Sequence, residues 1–188
     1  DKSQVLVMST GIIGVHLDMD KMGPAAKNGC DQLSSTAVSF LAAARGILTT
    51  DKSEKVVHRS IETSQGEVRF SAVAKGAGMI GPNMATMLAC VLTDAKLSPD
   101  DAQHMLTASA NTSFNCISVE GHTSTNDTML LMANGKSNSV ELAGNDLELF
   151  ADELTSALIE LAKMIPADGE GATHLMEIAV SGAETNTD

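Results

Sequence analysis

The residues from Lys75 to Leu88, KGAGMIGPNMATML, place a hydroxyl between a glycine-rich loop and an apolar run. Gly76, Gly78 and Gly81, with Pro82 and Asn83, are turn formers that let backbone or a bound molecule come close. Met87 to Leu92 reads as a buried strand that holds Thr86 from the other side. A hydroxyl fixed in this way suits a nucleophile. The same spacing also describes an ordinary loop entering a core strand, and residue types alone leave both readings open. The loop lacks the G-K-[ST] ending of a phosphate-binding loop, so phosphate chemistry is excluded.

Other polar groups stand at comparable junctions. Ser9-Thr10-Gly11 follows the apolar stretch Gln4 to Met8. A hydroxyl beside a residue with no Cβ can aim two donors at one point, as an oxyanion hole requires, or can simply form a turn. Thr49-Thr50-Asp51 offers hydroxyls at a strand end, where capping a turn is the alternative use. Lys75, at the mouth of the loop, is either a solvated charge or a partner for a carboxylate. Glu170, between Gly169 and Gly171, is either a turn acid or a partner for an ammonium. The dense polar run Gly121 to Thr128 is expected to bond to backbone and to itself, as scaffold.

Four stretches in order, STGIIG at Ser9 to Gly14, KGAGMIGPNMATML, TSTNDT at Thr123 to Thr128 and DGEGAT at Asp168 to Thr173, resemble the ornithine acetyltransferase family, the glutamate N-acetyltransferases of arginine biosynthesis. The resemblance implies a precursor that cuts itself between Ala85 and Thr86. It implies that Thr86 is the nucleophile and that Thr10 and Gly11 hold the oxyanion. It also implies substrate contacts at Thr49, with Thr50 a near equal, at Lys75, which lies eleven positions before Thr86 as in the family, and at Glu170.

The implied reaction moves acetyl from N-acetylornithine to glutamate through an acetyl-Thr86 intermediate. No cofactor is implied; acetyl-CoA is a substrate only in bifunctional members, which are also amino-acid N-acetyltransferases. The implied partners are the cleaved companion chain, in a heterotetramer of two α and two β chains, and small amino-acid substrates. The implied fold is a layered α/β sandwich with a mainly antiparallel sheet, of the N-terminal-nucleophile type. A related Thr-nucleophile aminopeptidase or amidase, and a non-catalytic fragment, stay open as alternatives. Two departures stand out: His122 where the family generally has Asp, and His174 where it often has Lys. Residues 1–188 are expected to form one catalytic domain, incomplete at both ends relative to the family.

Composition indicates a globular protein. The chain has 188 residues, 43% of them hydrophobic, enough for one substantial core. A formal net charge of -12 and the lack of any basic run argue against nucleic acid. No apolar run reaches membrane-spanning length and no signal-peptide pattern is visible. Cys30, Cys90 and Cys116 are odd in number and widely spaced, which suggests neither disulfides nor zinc and fits a reducing cytoplasm. The five histidines form no ligand pair, so no metal is expected. With aromatics at 2%, the core must come from aliphatic side chains and the 11 methionines.

The elements that must position these groups are legible from periodicity. A strand is expected at Gln4 to Met8, a loop at Met19 to Cys30, and a helix after Asp31 carrying Leu33, Ala37, Phe40, Leu41 and Ala44. Alternation predicts a hairpin, Lys55 to Thr63 and Glu67 to Ala74, around Ser64-Gln65-Gly66. Ser98-Pro99 opens a helix to about Ala110. Strands are expected at Asn115 to Val119 and Ser137 to Leu142, and an amphipathic helix at Asn145 to Ile165 stopped by Pro166. The loop Asp168 to Thr173 then leads to a strand at Leu175 to Val180.

Overall fold

The hairpin anticipated around Ser64-Gln65-Gly66 forms the middle of the computed structural model, which describes residues 5–82, 86–138 and 140–182. Strand β1, Lys55–Thr63, pairs antiparallel with β2, Gly66–Lys75. Strand β3, Leu88–Thr93, pairs antiparallel with β2 on its other edge. Strand β4, Thr128–Ala133, lies parallel to β3, giving the sheet order β1-β2-β3-β4. A parallel neighbour needs a crossover. Helix α3, Pro99–Thr112, supplies it, opened by Ser98, whose Oγ accepts the Asp101 N–H at 3.1 Å. The fold is therefore mixed α/β with a mainly antiparallel sheet, as expected.

Side chains alternate across the sheet with period two, and each face has its own cover. Val57, Ile61, Val68, Phe70, Ala72, Ala89 and Val91 face helix α4, Asn145–Ala167, from which Phe150, Leu154, Leu158, Leu161 and Ile165 are buried against them. Phe70 and Phe150 meet edge to face at 5.6 Å. Each of these helix side chains stabilises the fold by about 1.5–3 kcal/mol on burial. Val73, Cys90 and Leu130 point the other way, toward Ala44 and Phe40 of helix α2, Ala37–Gly46. Helix α3 packs on α4 and shares its core, while α2 covers the opposite face, so the sheet lies between two helical layers. The hairpin turn is tied to the first turn of α4 by Ser64, whose N–H donates to Asp146 at 3.0 Å.

The structure departs from the periodic reading in six places. Met19–Asp31 is helix α1, not a loop, although none of its residues is buried. It is begun by Asp18, whose side chain accepts the Lys21 N–H, so local capping rather than an apolar stripe makes it. The next helix starts at Ala37, capped by Thr36, and not after Asp31; Leu33 stays exposed outside it. Asn115 to Val119 is not a strand. A 3₁₀ turn, Phe114–Cys116, is followed by chain whose Val119 and Gly121 N–H groups both donate to Ile80 O, a loop carbonyl rather than a sheet edge.

Around Ser137 to Leu142 the described chain makes no ladder. It covers residues 94–96, with Ser137 N–H on Asp94 O and Leu142 N–H on Lys96 O. Val5 to Met8 and Leu175 to Val180 are also not strands; they have no ladder partner among the described residues and leave Val7, Met176 and Ile178 exposed.

Candidate functional site

The pairing register brings Lys75 and the Thr86 segment to one end of the sheet. Lys75, the last residue of β2, stands opposite Leu88, the first of β3, which stands opposite Thr128, the first of β4. The glycine loop that leaves β2, the Thr86-Met87 segment that enters β3 and the Asn126-Asp127 segment that enters β4 therefore meet. Gly76 lies where a Cβ would come within 3.1 Å of Ile80 Cδ1 and 3.5 Å of the Thr86 carbonyl oxygen. Its φ of 148° adds a conformational reason for glycine.

Thr86 adopts φ 48°, left-handed backbone that a β-branched residue avoids. Such a conformation costs on the order of 1–3 kcal/mol and persists only where neighbours enforce it. They do so here through Met87, whose N–H donates to Asp127 Oδ1 at 2.7 Å and whose carbonyl accepts from Thr128 N–H at 3.1 Å. Thr86 Oγ1 is buried and has no hydrogen-bonding partner among the described residues.

Two other predicted groups share that condition: Thr10 Oγ1 and Lys75 Nζ. Lys75 is fully buried. Burial pulls its pKa below the ordinary lysine value, against the opposing pull of Asp51 and Asp127, which favour the ammonium. Burial also raises the Asp127 pKa, against the Met87 N–H and the Lys75 charge. Buried polar atoms normally find partners, so these three stand out, although Gln65 Oε1 and Asn115 Oδ1, away from this end of the sheet, also have none among the described residues. The Thr10 segment reaches this end of the sheet through Asn126, whose side-chain amide donates to Ser9 O. Gly11 is exposed beside it.

Beneath the loop lies a buried ionic cluster that the sequence reading missed. Asp51 Oδ1 accepts from Lys55 Nζ at 2.7 Å and from Gly76 N–H at 2.6 Å, and Oδ2 accepts from Thr49 N–H at 3.3 Å. Lys55 Nζ also reaches Asp168 Oδ2 at 2.7 Å, and that oxygen takes the Lys52 N–H at 2.9 Å. Lys55 is 1% exposed. Burial works against both carboxylates, but their hydrogen bonds from Lys55 and from backbone amides outweigh it and hold both pKa values below the ordinary aspartate value. A signal did exist: Lys55 stands in the inward phase of β1 with Val57 and Ile61, where a solvated lysine does not belong.

Asp168 begins the loop that carries Glu170, and the cluster therefore joins that loop to the glycine loop. Glu170 N–H donates to Ala77 O at 2.8 Å. Its carboxylate lies over Gly78, where a Cβ would sit 2.9 Å from Oε1. An open groove of about 580 Å³ runs past Ile13, Gly78, Glu120, His122 and Glu170. Glu170 is exposed on it, in position to meet a cation from solvent. Thr49 is exposed and connected to the cluster only through its backbone contact with Asp51. Ala85 lies outside the described residues. A second cavity, of about 310 Å³ between α3, α4 and the Leu175 segment, touches none of the candidate residues.

Among the described residues, no group of three or more His, Cys, Asp or Glu could hold a metal ion. No described helix is long and apolar enough to cross a membrane. The described site thus holds a strained, buried hydroxyl at Thr86, a second buried hydroxyl at Thr10 and a buried lysine at Lys75, while the Glu170 carboxylate lies on a groove that none of these three lines.

The model of the ArgJ family matches residues 1–188. Among curated proteins, the arginine biosynthesis bifunctional protein ArgJ of Rhodopirellula baltica is 42% identical over 191 aligned residues, covering 100% of this chain and 47% of that protein. The protein of the same name from Oceanobacillus iheyensis is 45% identical over 188 residues, covering 99% of this chain and 45% of its own length. A crystal structure of arginine biosynthesis bifunctional protein ArgJ from Bacillus halodurans matches at 41% identity with a TM-score of 0.41, over 43% of this chain and 38% of that one. The chain thus spans about half the length of the curated relatives it matches.

Proposed function

The chain belongs to the ArgJ family, and from that membership we propose that Thr86 carries acetyl from N-acetylornithine to glutamate in arginine biosynthesis. The observation that supports this reading best is the set of buried polar atoms without a hydrogen-bonding partner among the described residues, Thr10 Oγ1, Lys75 Nζ and Thr86 Oγ1, at the end of the sheet where the glycine loop begins.

In the proposed mechanism Thr86 first frees its own amine. Its Oγ1 attacks the Ala85 carbonyl carbon, the peptide C–N bond breaks as the acyl group shifts from nitrogen to oxygen, and water hydrolyses the resulting ester. The α-amine released has an ordinary pKa of about 7.7–8.0, near working pH. It takes the proton of the Thr86 hydroxyl as that oxygen attacks the acetyl carbonyl of N-acetylornithine. The Lys75 charge favours the neutral, base-competent amine.

Thr10 and Gly11 donate to the tetrahedral oxyanion, a contribution of a few kcal/mol for one such donor. The acetyl C–N bond then breaks, and the leaving amine takes back the proton. The glutamate amine next attacks acetyl-Thr86, and the Thr86 hydroxyl is restored. Lys75 pairs with the substrate α-carboxylate and Glu170 with its ammonium, while Thr49 borders the substrate. The reaction needs no cofactor, and acetyl-CoA enters only as a substrate in the bifunctional form that the relatives' names describe. The working assembly is two α and two β chains.

Incubating the protein with N-acetylornithine and glutamate, and reading N-acetylglutamate by mass spectrometry, tests the reading. Formation of the product, lost in Thr86→Ala, is expected. Denaturing electrophoresis is expected to give two pieces, the second beginning at Thr86. A protein that transfers no acetyl group and instead hydrolyses aminoacyl amides is the result that sinks it.

A further inference from the structure

Three consecutive residues, Asn126, Asp127 and Thr128, each spend one hydrogen bond on a segment that carries a candidate threonine. The Asn126 amide donates to Ser9 O, one residue before Thr10, and its Oδ1 accepts from Ser124 Oγ at 2.9 Å, which fixes the amide's orientation. Asp127 Oδ1 accepts the Met87 N–H at 2.7 Å, one residue after Thr86. Thr128 N–H donates to Met87 O at 3.1 Å. Since Thr10 Oγ1 and Thr86 Oγ1 have no partner of their own among the described residues, their aim is set by the backbone that bears them. For Thr86 that backbone is in a conformation it would not adopt unaided.

We propose that Asn126 and Asp127 are positioning residues for acyl transfer, one holding the oxyanion-donor segment and the other the nucleophile segment, so that both threonines are referred to a single dipeptide. What the two threonines do rests on the function proposed above; that they are held to each other through residues 126–128 does not. The charge of Asp127 faces Lys75, whose other acidic neighbour is Asp51. The positioning role uses only the acceptor oxygen of Asp127, and an asparagine there retains it.

A misplacement of about 1 Å costs on the order of 10²-fold in rate, which sets the scale of the test. In the whole protein, Asp127→Ala is expected to lower kcat for acetyl transfer by about 10–100-fold while KM stays within about twofold. Hydrogen exchange at the Met87 amide is expected to quicken by more than about tenfold relative to the Phe70 amide. Asp127→Asn is expected to restore both values. Asn126→Ala, which acts on the other arm, is expected to lower kcat without altering Met87 exchange, and it carries the test if Asp127→Ala does not fold. Unchanged kcat in Asp127→Ala and Asn126→Ala overturns the proposal, as does an Asp127→Asn variant no better than Asp127→Ala. If the wild-type protein transfers no acetyl group, the functional reading fails, and unchanged Met87 exchange in Asp127→Ala separately overturns the positioning claim.

Discussion

Asp51 accepts the Gly76 N–H at 2.6 Å across 25 residues of sequence, on the same oxygen that takes the Lys55 ammonium at 2.7 Å. One carboxylate thus fixes where the glycine loop leaves β2 and where the Thr49 segment lies. Through Lys55 it is also joined to Asp168 and the loop of Glu170. The shape of the candidate site depends on this ion cluster, none of whose members touches the groove that Glu170 lines.

Lys55→Ala leaves Asp51, with its side chain 0% exposed, and Asp168, at 10%, without their shared cation. Removing one partner of a buried pair costs about 3–5 kcal/mol, far more than the pair contributes against a well-packed apolar replacement. Urea unfolding of Lys55→Ala is expected to show a loss in that range. A loss under about 1 kcal/mol, the worth of a surface ion pair, means that the cluster is solvated.

The same cluster sets the acid limit. Asp51 and Asp168 have folded pKa values below the ordinary aspartate value of 3.8, so below it the unfolded chain binds more protons than the folded one. Their contribution is complete above the unfolded value and is lost as pH falls through the depressed folded values. Melting temperature is expected to fall steeply below about pH 4. The fall is expected to be shallower in Asp51→Asn, which has one fewer group to titrate.

Periodicity made the hairpin, α4 and the strand after Thr86 legible, because each buries an alternating or helical stripe against the others. It missed α1, which buries nothing and is started by Asp18 alone. It also placed strands at Gln4 to Met8, of which Gln4 lies outside the described residues, and at Asn115 to Val119 and Leu175 to Val180, where apolar residues are present but no ladder partner is found among the described residues. In the candidate site, local residue types left Thr10, Lys75 and Thr86 open between turn, solvated charge and chemistry, and the family resemblance singled them out; the fold adds that their polar ends are buried. The Lys55–Asp168 contact spans 113 residues and leaves no local trace beyond a lysine in an inward-facing phase. Asn126 and Asp127 were visible only as members of a polar run; the hold of Asp127 on Met87 follows from the register between β3 and β4, and that of Asn126 on Ser9 spans 117 residues of sequence.

Lys75→Met separates stability from function. The folded pKa of Lys75 is lowered by burial, so the folded state binds fewer protons than the unfolded state between that value and 10.5. Stability therefore rises with pH across that interval, and at neutral pH the buried ammonium is a cost. Replacing it with methionine is expected to stabilise the protein by about 1–3 kcal/mol at pH 7 and to flatten the alkaline rise in melting temperature. Acetyl transfer is expected to be lost, through failure to hold the substrate carboxylate. A variant that is both less stable and still active contradicts each half.

Glu170 sits exposed over Gly78 and takes no part in the buried cluster. Its proposed role is ground-state binding of the substrate ammonium, which a charge-neutral isostere weakens without disturbing the reacting atoms. Glu170→Gln is expected to raise KM for N-acetylornithine by about tenfold or more, with kcat within about threefold. A fall in kcat at unchanged KM assigns Glu170 to the transition state instead.

Thr86 joins backbone strain to the proposed chemistry, and three substitutions pull the two apart. At φ 48° glycine has no Cβ to clash, whereas alanine keeps the clash and loses only the hydroxyl and methyl. Thr86→Gly is therefore expected to be more stable than Thr86→Ala by about 1 kcal/mol, a reversal of the usual order in regular structure. Both lack Oγ1 and are expected to remain uncut at Ala85 and to transfer no acetyl group. Thr86→Ser keeps the nucleophile and is expected to process itself and retain measurable transfer. Chemical unfolding of the two inactive variants reads the strain directly: if alanine proves the more stable, the left-handed conformation is absent, and with it the need for Asp127 and Thr128 to enforce it.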